Sequence, residues 1–256
     1  VRLPILEMDA SPKSKPGERT APFDLPVLYQ DQTILVFNKP AGLAVQGGSG
    51  LTVHLEMMMD EFAVRGVLPR LVHRLDRDTS GVLVLARTAS AARDLGAQFQ
   101  GRAIEKKYLA LVSPPPLYAA GTISAPLAKV KTGRDLEKVQ VSRHGDPATT
   151  TYTTISEGTI TTEGMVSVAL VEFCPETGRT HQIRVHAAHV GSPLLGDAKY
   201  GGNAELLKKI RVKSRVMLHA AQLTLTHPKT GVRMTFAAPL PPDFEKAMAK
   251  LRITMP

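Results

Sequence analysis

The sequence predicts an α+β fold, a largely antiparallel mixed sheet with flanking helices. Three observations predict it. Strand-like runs dominate the ordered part of the chain. The few helical stretches interrupt them without regular alternation. No internal repeat is visible.

Residues 1–26 read as a tail. Ala10–Pro26 holds four of the 19 prolines, with Lys13, Lys15 and Arg19 among small polar residues. Such a composition builds no core and reads as a linker or a loosely docked tail, a linker implying a further domain upstream. One domain is expected over 27–256. Thr33–Asn38 reads as a buried strand stopped by Lys39-Pro40, and Gly47–Gly50 as a flexible loop. Gly81–Ala86 and Lys107–Val112 read as strands. Ala89–Gln98 reads as a helix on the spacing of Ala92, Leu95 and Phe99. Thr149–Ile155 and Met165–Phe173 are further strands. A helix over His181–Val190 places Ile183, Ala187 and Val190 on one face. Met217–Thr226 and Val232–Phe236 add strands, and Asp243–Leu251 closes the chain as a helix after Pro241-Pro242.

Hydrophobic residues make up 43% of the 256, enough for a full core without a disulfide or metal staple. Lys and Arg number 32 against 23 Asp and Glu, and the net charge of +9 makes nucleic acid a leading candidate partner. Cys174 is the only cysteine, so no intramolecular disulfide can form and a reducing compartment is expected. No apolar run is long enough to cross a bilayer as a helix, and the first residues lack a secretory pattern. The expected location is the cytoplasm, or alternatively an organelle matrix.

Leu71–Thr88 is the stretch richest in chemistry. His73, Arg74, Asp76, Arg77 and Asp78 cluster at the mouth of a strand, behind the turn Thr79-Ser80-Gly81. Asp76–Gly81 matches the first half of a calcium loop, but the twelfth position is Arg87 and a strand follows, which argues against calcium. Taken alone, the cluster also fits a structural turn in which the two aspartates pair with nearby arginines.

In Thr177–His189, Thr180 is placed to cap the coming helix. Arg179 on the loop and Arg184 in the first turn form a cationic pair at the positive end of that helix, suited to a carboxylate or a phosphate. Zinc is disfavoured: His181 and His186 are five residues apart and misaligned, and no CxxC or HExxH occurs. Tyr108, on a strand, reads by itself as a core aromatic with its hydroxyl at a rim. Walker, dinucleotide-fingerprint and nucleophile-elbow patterns are absent.

His73–Gly81 (HRLDRDTSG) resembles the signature of the RluA family of pseudouridine synthases. Lys39–Gly48 (KPAGLAVQGG), Lys106–Val112 (KKYLALV) and Thr177–His186 (TGRTHQIRVH) resemble three further family segments, in the expected order. The resemblance covers about Val27 to Pro239. Gly47–Leu51 and the long central insertion look closest to RluC-like synthases of large-subunit ribosomal RNA, many of which carry a small N-terminal RNA-binding domain.

The resemblance implies the pseudouridine synthase fold with a central cleft. It implies a uridine in RNA as substrate, Asp76 as catalytic aspartate, Arg184 as its ion-pair partner and Tyr108 as active-site tyrosine. Arg74 matches the arginine that fills the space left by a flipped uridine. Arg77, Arg179, His181 and Lys39 are further candidate RNA contacts. The implied reaction is a net isomerisation that needs no cofactor and no metal, and no protein partner or membrane is implied, so a monomer is expected. The competing class is an RNA-binding or ribosome-assembly module that kept the fold without the catalysis. The presence of Asp76, Tyr108 and Arg184 together speaks against it.

Overall fold

The computed structural model describes residues 24–47, 54–132 and 136–255. The expectations placed on residues 1–23 and on Gly48–Gly50 lie outside the described residues. In chain order the elements are β1 (Val27–Gln30), β2 (Ile34–Lys39), a 3-10 helix (Leu55–Phe62), β3 (Arg70–Leu71), β4 (Ser80–Ala86) and α1 (Ala89–Gln100). Next come β5 (Glu105–Val112), β6 (Ala120–Ser124), β7 (Leu127–Thr132), β8 (Leu136–Val141), β9 (Thr149–Thr161) and β10 (Met165–Pro175). Then follow α2 (Gln182–His189), α3 (Ala204–Lys209), β11 (Leu218–Thr226), β12 (Arg233–Ala237) and α4 (Pro242–Lys250).

The predicted α+β class holds. One mixed sheet runs β1-β2-β4-β11-β5-β10-β9-β6, with β12 joined to β11 and β3 to β4. Among the described strands, only the β4–β11 pairing is parallel. β7 and β8 form a separate antiparallel hairpin.

The central strands are buried on both faces, which explains their unbroken apolar sequences. Leu109 and Leu111 of β5 face α4, packing with Phe244, Ala247 and Met248. Ala110 and Val112 face the other way, toward Ile183 and Ala187 of α2. At roughly 25 cal/mol per Å2 of apolar surface, each of the larger of these side chains contributes about 1.5–3 kcal/mol.

The register creates the cleft. One edge of β11 is shared: His219 and Ala220 pair with Ser80 and Gly81 of β4, while Gln222–Thr226 pair with β12. Its other edge pairs with β5, where Ala220 stands opposite Tyr108. The turn that precedes Gly81 therefore enters the sheet beside Tyr108. Gly81 sits at φ +114°, and a Cβ there would lie 2.2 Å from the Ala220 carbonyl oxygen, so only glycine allows this approach.

The structure differs from expectation at several places. The stretch 113–148, where the sequence suggested no element, carries β6, β7 and β8. β1, β3, the 3-10 helix and α3 also went unread, being short segments with weak periodicity. Thr180 does not cap α2. His181 holds the cap position at φ 55°, without a side-chain cap bond. Gln182 reorganises this entry: its amide oxygen accepts from the Arg179 N–H and the Thr177 hydroxyl, and its NH2 donates to Thr149 and Thr150. No helix among the described residues is long and apolar enough to cross a membrane.

Candidate active site

A cleft of about 560 Å3 opens between the turn before β4, the end of α1 and the loop leading into α2. Asp76, Tyr108, Arg184, Arg74, Arg179 and His181 all line it. The cations on its walls also include Arg102 and Lys106, against the acids Asp76 and Glu176. The charge balance inside the cleft thus follows that of the chain.

Asp76 and Arg184 are 108 residues apart and meet directly. The guanidinium NH1 donates to Asp76 Oδ2 at 3.2 Å. Arg184 is only 9% exposed, so its charge must be matched within the protein. Asp197 supplies the match: Oδ2 accepts from Nε at 2.7 Å and Oδ1 from NH2 at 2.8 Å. Burial alone would lower the pKa of this guanidinium. The hydrogen bonds and charges of Asp197 and Asp76 outweigh that and raise it, so Arg184 stays a cation at any working pH. The Tyr200 ring covers the guanidinium at 5.1 Å.

Tyr108 lies on β5 and packs beside Leu75, its phenol in the cleft. Burial, and then the Asp76 charge, push its pKa up, so the hydroxyl keeps its proton through the neutral range. It can donate a hydrogen bond and present a ring face, but it is a poor base. His73 braces the floor. Its Nε2 accepts from the Val84 N–H at 2.9 Å, and its ring stacks on Phe99. Burial, aided by Lys106, drops the His73 pKa to about 3, so the imidazole is neutral.

Arg74 is exposed on the rim and forms no ion pair with a described residue, so it does not brace the turn. Arg77 pairs with Asp78 at 3.4 Å in solvent and does not line the cleft. Arg179 reaches Asp146 at 3.5 Å and the Pro147 carbonyl at 3.3 Å. Lys39 requires a correction. Its side chain is 0% exposed, and Nζ donates to the carbonyls of Pro40, Leu43 and Arg77 at 2.9, 2.8 and 3.1 Å. It cannot reach RNA; it ties the segment after β2 to the turn that carries Asp76. Burial, opposed by Asp78, brings its pKa down to about 7.

Three residues of the site were not read from the sequence: Asp197, Tyr200 and Arg215. Arg215 grips Asp243 at 2.6 and 3.0 Å and donates to the Asp78 carbonyl, anchoring the turn to the end of α4. The available signal was GDAKYGG (Gly196–Gly202), a turn with an acid and a tyrosine between glycines. Gly196 sits at φ +77°, and a Cβ there would lie 1.9 Å from the Arg215 carbonyl oxygen.

A sequence model of RNA pseudouridylate synthases matches residues 33–189, which include Asp76, Tyr108 and Arg184. The chain belongs to that family. Membership makes it an RNA-modifying isomerase, as the RluA-type motifs implied. The ribosomal large subunit pseudouridine synthase C of Pasteurella multocida is 36% identical over 257 residues, covering 98% of this chain and 76% of that protein. The protein of the same name from Escherichia coli K12 is 37% identical over 260 residues, covering 98% and 79%. Among solved structures, human RNA pseudouridylate synthase domain containing 4 superposes with a TM-score of 0.70 at 31% identity, covering 90% of this chain and 94% of the other. Human RNA pseudouridylate synthase domain containing 1 gives 0.69 at 26% identity, covering 93% and 98%.

Proposed function

We propose that this pseudouridine synthase modifies uridines in large-subunit ribosomal RNA, with Asp76 as its essential catalytic group. The observation that carries the catalytic reading is the Asp76–Arg184 contact on the wall of a cationic cleft. The likeness to two synthases of the large ribosomal subunit, across nearly the whole chain, supports the substrate.

The reaction breaks the C1′–N1 bond of uridine, turns the uracil and forms a C1′–C5 bond. The C5 proton leaves and N1 gains one, so atoms balance without a cofactor. Asp76, fixed by Arg184, acts on the ribose or the base during cleavage. Tyr108 offers its ring face to the base and its retained proton to a developing charge. A base inside folded RNA must first leave its stack, at a cost of a few kcal/mol. Arg74, exposed at the mouth of the cleft, fills the gap left behind.

Mapping pseudouridine across total RNA, with and without the protein, identifies the sites. In a purified assay, Asp76→Asn should give no product while RNA affinity changes by less than about 1 kcal/mol, because the carboxylate is not a phosphate contact. Turnover by Asp76→Asn or Asp76→Ala, with deamidation excluded, would overturn the catalytic reading. Modified sites confined to transfer RNA would overturn the substrate.

A further inference from the structure

Asp76 meets two side chains through one of its oxygens. Arg184 NH1 lies 3.2 Å from Oδ2, and His181 Nε2 lies 3.7 Å from the same atom. No described side chain hydrogen-bonds Oδ1. What orients His181 is therefore a property of the reactive carboxylate.

His181 is bound through its other nitrogen. Nδ1 stands 2.8 Å from the Tyr200 hydroxyl. That hydroxyl already accepts a bond at 3.2 Å from the Val139 N–H of β8, a group that can only donate. The phenol oxygen is an acceptor toward β8, which leaves its own proton free to be donated to Nδ1. An imidazole that accepts at Nδ1 carries its proton on Nε2, the nitrogen facing Asp76.

The backbone holds this arrangement in place. His181 sits at φ 55°, a left-handed conformation in which histidine is enriched. Tyr200 is buried with Val139 and Val185. It comes from the same turn as Asp197, so one loop secures both groups that face Asp76 Oδ2.

We propose that Tyr200 is a positioning residue for catalysis. Its hydroxyl fixes His181 as the neutral Nε2–H tautomer, so that His181 and Arg184 together occupy Asp76 Oδ2 and leave Oδ1 for the substrate. This rests on Asp76 being the catalytic group. The groups facing His181 are Asp76 from the turn before β4, Arg184 from α2, and Asp197, Lys199 and Tyr200 from the loop. Lys138 of β8 lies 5.5 Å above the Tyr200 ring. Burial lowers the His181 pKa. The charges of Asp76 and Asp197 oppose this, and those of Arg184 and Lys199 reinforce it, leaving a net lowering.

Protonation would undo the arrangement. Nδ1 would become a donor, the Tyr200 proton would have to turn away, and a second full positive charge would face Oδ2 and draw density from the carboxylate. Activity should therefore fall on the acid side as His181 gains its proton. The Tyr200 bond stabilises the neutral imidazole, so removing it makes protonation easier. The acid limb should then move to higher pH.

The test uses Tyr200→Phe, which keeps the ring over Arg184 and removes only the hydroxyl. We expect kcat at neutral pH to fall about tenfold, with KM for RNA changing by less than about twofold. The acid limb should rise by roughly 0.5–1 pH unit, the worth of one hydrogen bond. Nitrogen-15 spectra of labelled histidine in the RNA-free enzyme should show His181 as the Nε2–H tautomer, with a pKa that rises in Tyr200→Phe. His181→Asn, whose side chain tolerates the left-handed backbone, should be slow at every pH and lose that limb. A Tyr200→Phe enzyme slowed equally at all pH, or an Nδ1–H tautomer in the wild type, overturns the proposal. So does a His181→Asn enzyme of wild-type rate. Each of these outcomes leaves Asp76 untouched, whereas turnover by Asp76→Asn sinks the site assignment itself.

Discussion

Arg184 on the wall of the cleft is buried and hydrogen-bonds two carboxylates, whereas Arg74 on its rim is exposed and pairs with no described carboxylate. The same side chain serves opposite needs. On the wall, three of its N–H groups are matched, and the ring of Tyr200 closes over it. That fixes the position of Asp76, as chemistry at one atom demands. In the proposed function the rim arginine meets RNA, whose phosphates and bases would supply the partners it lacks in the protein. Under that proposal, a buried matched cation and an exposed unmatched one mark two tasks, catalysis and capture.

The contrast breaks most sharply at Asp197. Asp197→Asn keeps the shape but offers Arg184 one acceptor in place of two and removes the compensating charge. Arg184 can then turn toward Asp76 or away from it. A displacement on the order of 1 Å at such a site costs about 100-fold in rate, and kcat should fall by that order with RNA affinity nearly unchanged. Single-turnover rates and binding curves measured on one preparation decide it. A fall in affinity with kcat intact would mean that the wall, too, serves capture. Stability should drop as well, by about 1–3 kcal/mol for the unmatched hydrogen bond, which a thermal melt reads.

The rim should respond to the RNA and not to the chemistry. Arg74→Ala should slow the reaction on a folded substrate by roughly tenfold or more, since unstacking of a few kcal/mol is no longer offset. On a short unstructured RNA with the same uridine the loss should shrink to a few-fold. Asp76→Asn should be inactive on both. Equal loss on the two RNAs, together with a lowered melting temperature, would show that Arg74 supports the fold.

The parts of this division that could be read in advance are those carried by compact motifs. The turn from His73 to Gly81 declares itself because five charged or imidazole side chains sit between an apolar approach and an apolar strand. The pairing of Asp76 with Arg184 follows because each lies in a segment that resembles a family motif. Asp197 and Tyr200 escaped because their partners are distant in sequence: a lone acid and a lone tyrosine in GDAKYGG show no periodicity, and only the tertiary fold reveals that they close on Arg184 and His181. Lys39 was misread for a related reason. A lysine beside proline in a motif reads as a surface cation, and nothing local shows that three carbonyls surround it. The strand order was out of reach for the same cause, since the parallel pairing of β4 with β11 depends on Gly81 meeting Ala220 across 138 intervening positions. Thr180 looked like the better cap until Gln182, already in the helix, took the loop's donors and acceptors.

The smallest effect sharpens the comparison most finely, because it concerns a residue between the two regions. Arg179 lines the cleft beside His181, yet its side chain is 42% exposed, and its pairing with Asp146 at 3.5 Å lies in solvent. Its backbone N–H, not its side chain, holds Gln182 and the start of α2. Arg179→Ala should therefore leave the helix entry intact, with stability within about 0.5 kcal/mol of wild type. If it serves RNA capture as proposed, it neutralises one phosphate. Its loss should weaken binding uniformly across RNA sequences and reduce the slope of log affinity against log salt by about 0.7–0.9. The measurement belongs on the Asp76→Asn background, where bound RNA is not converted. A salt slope equal to that of the parent, with kcat reduced in the active enzyme, would instead place Arg179 on the wall. The boundary between capture and catalysis would then run through the loop before α2 rather than along its outer edge.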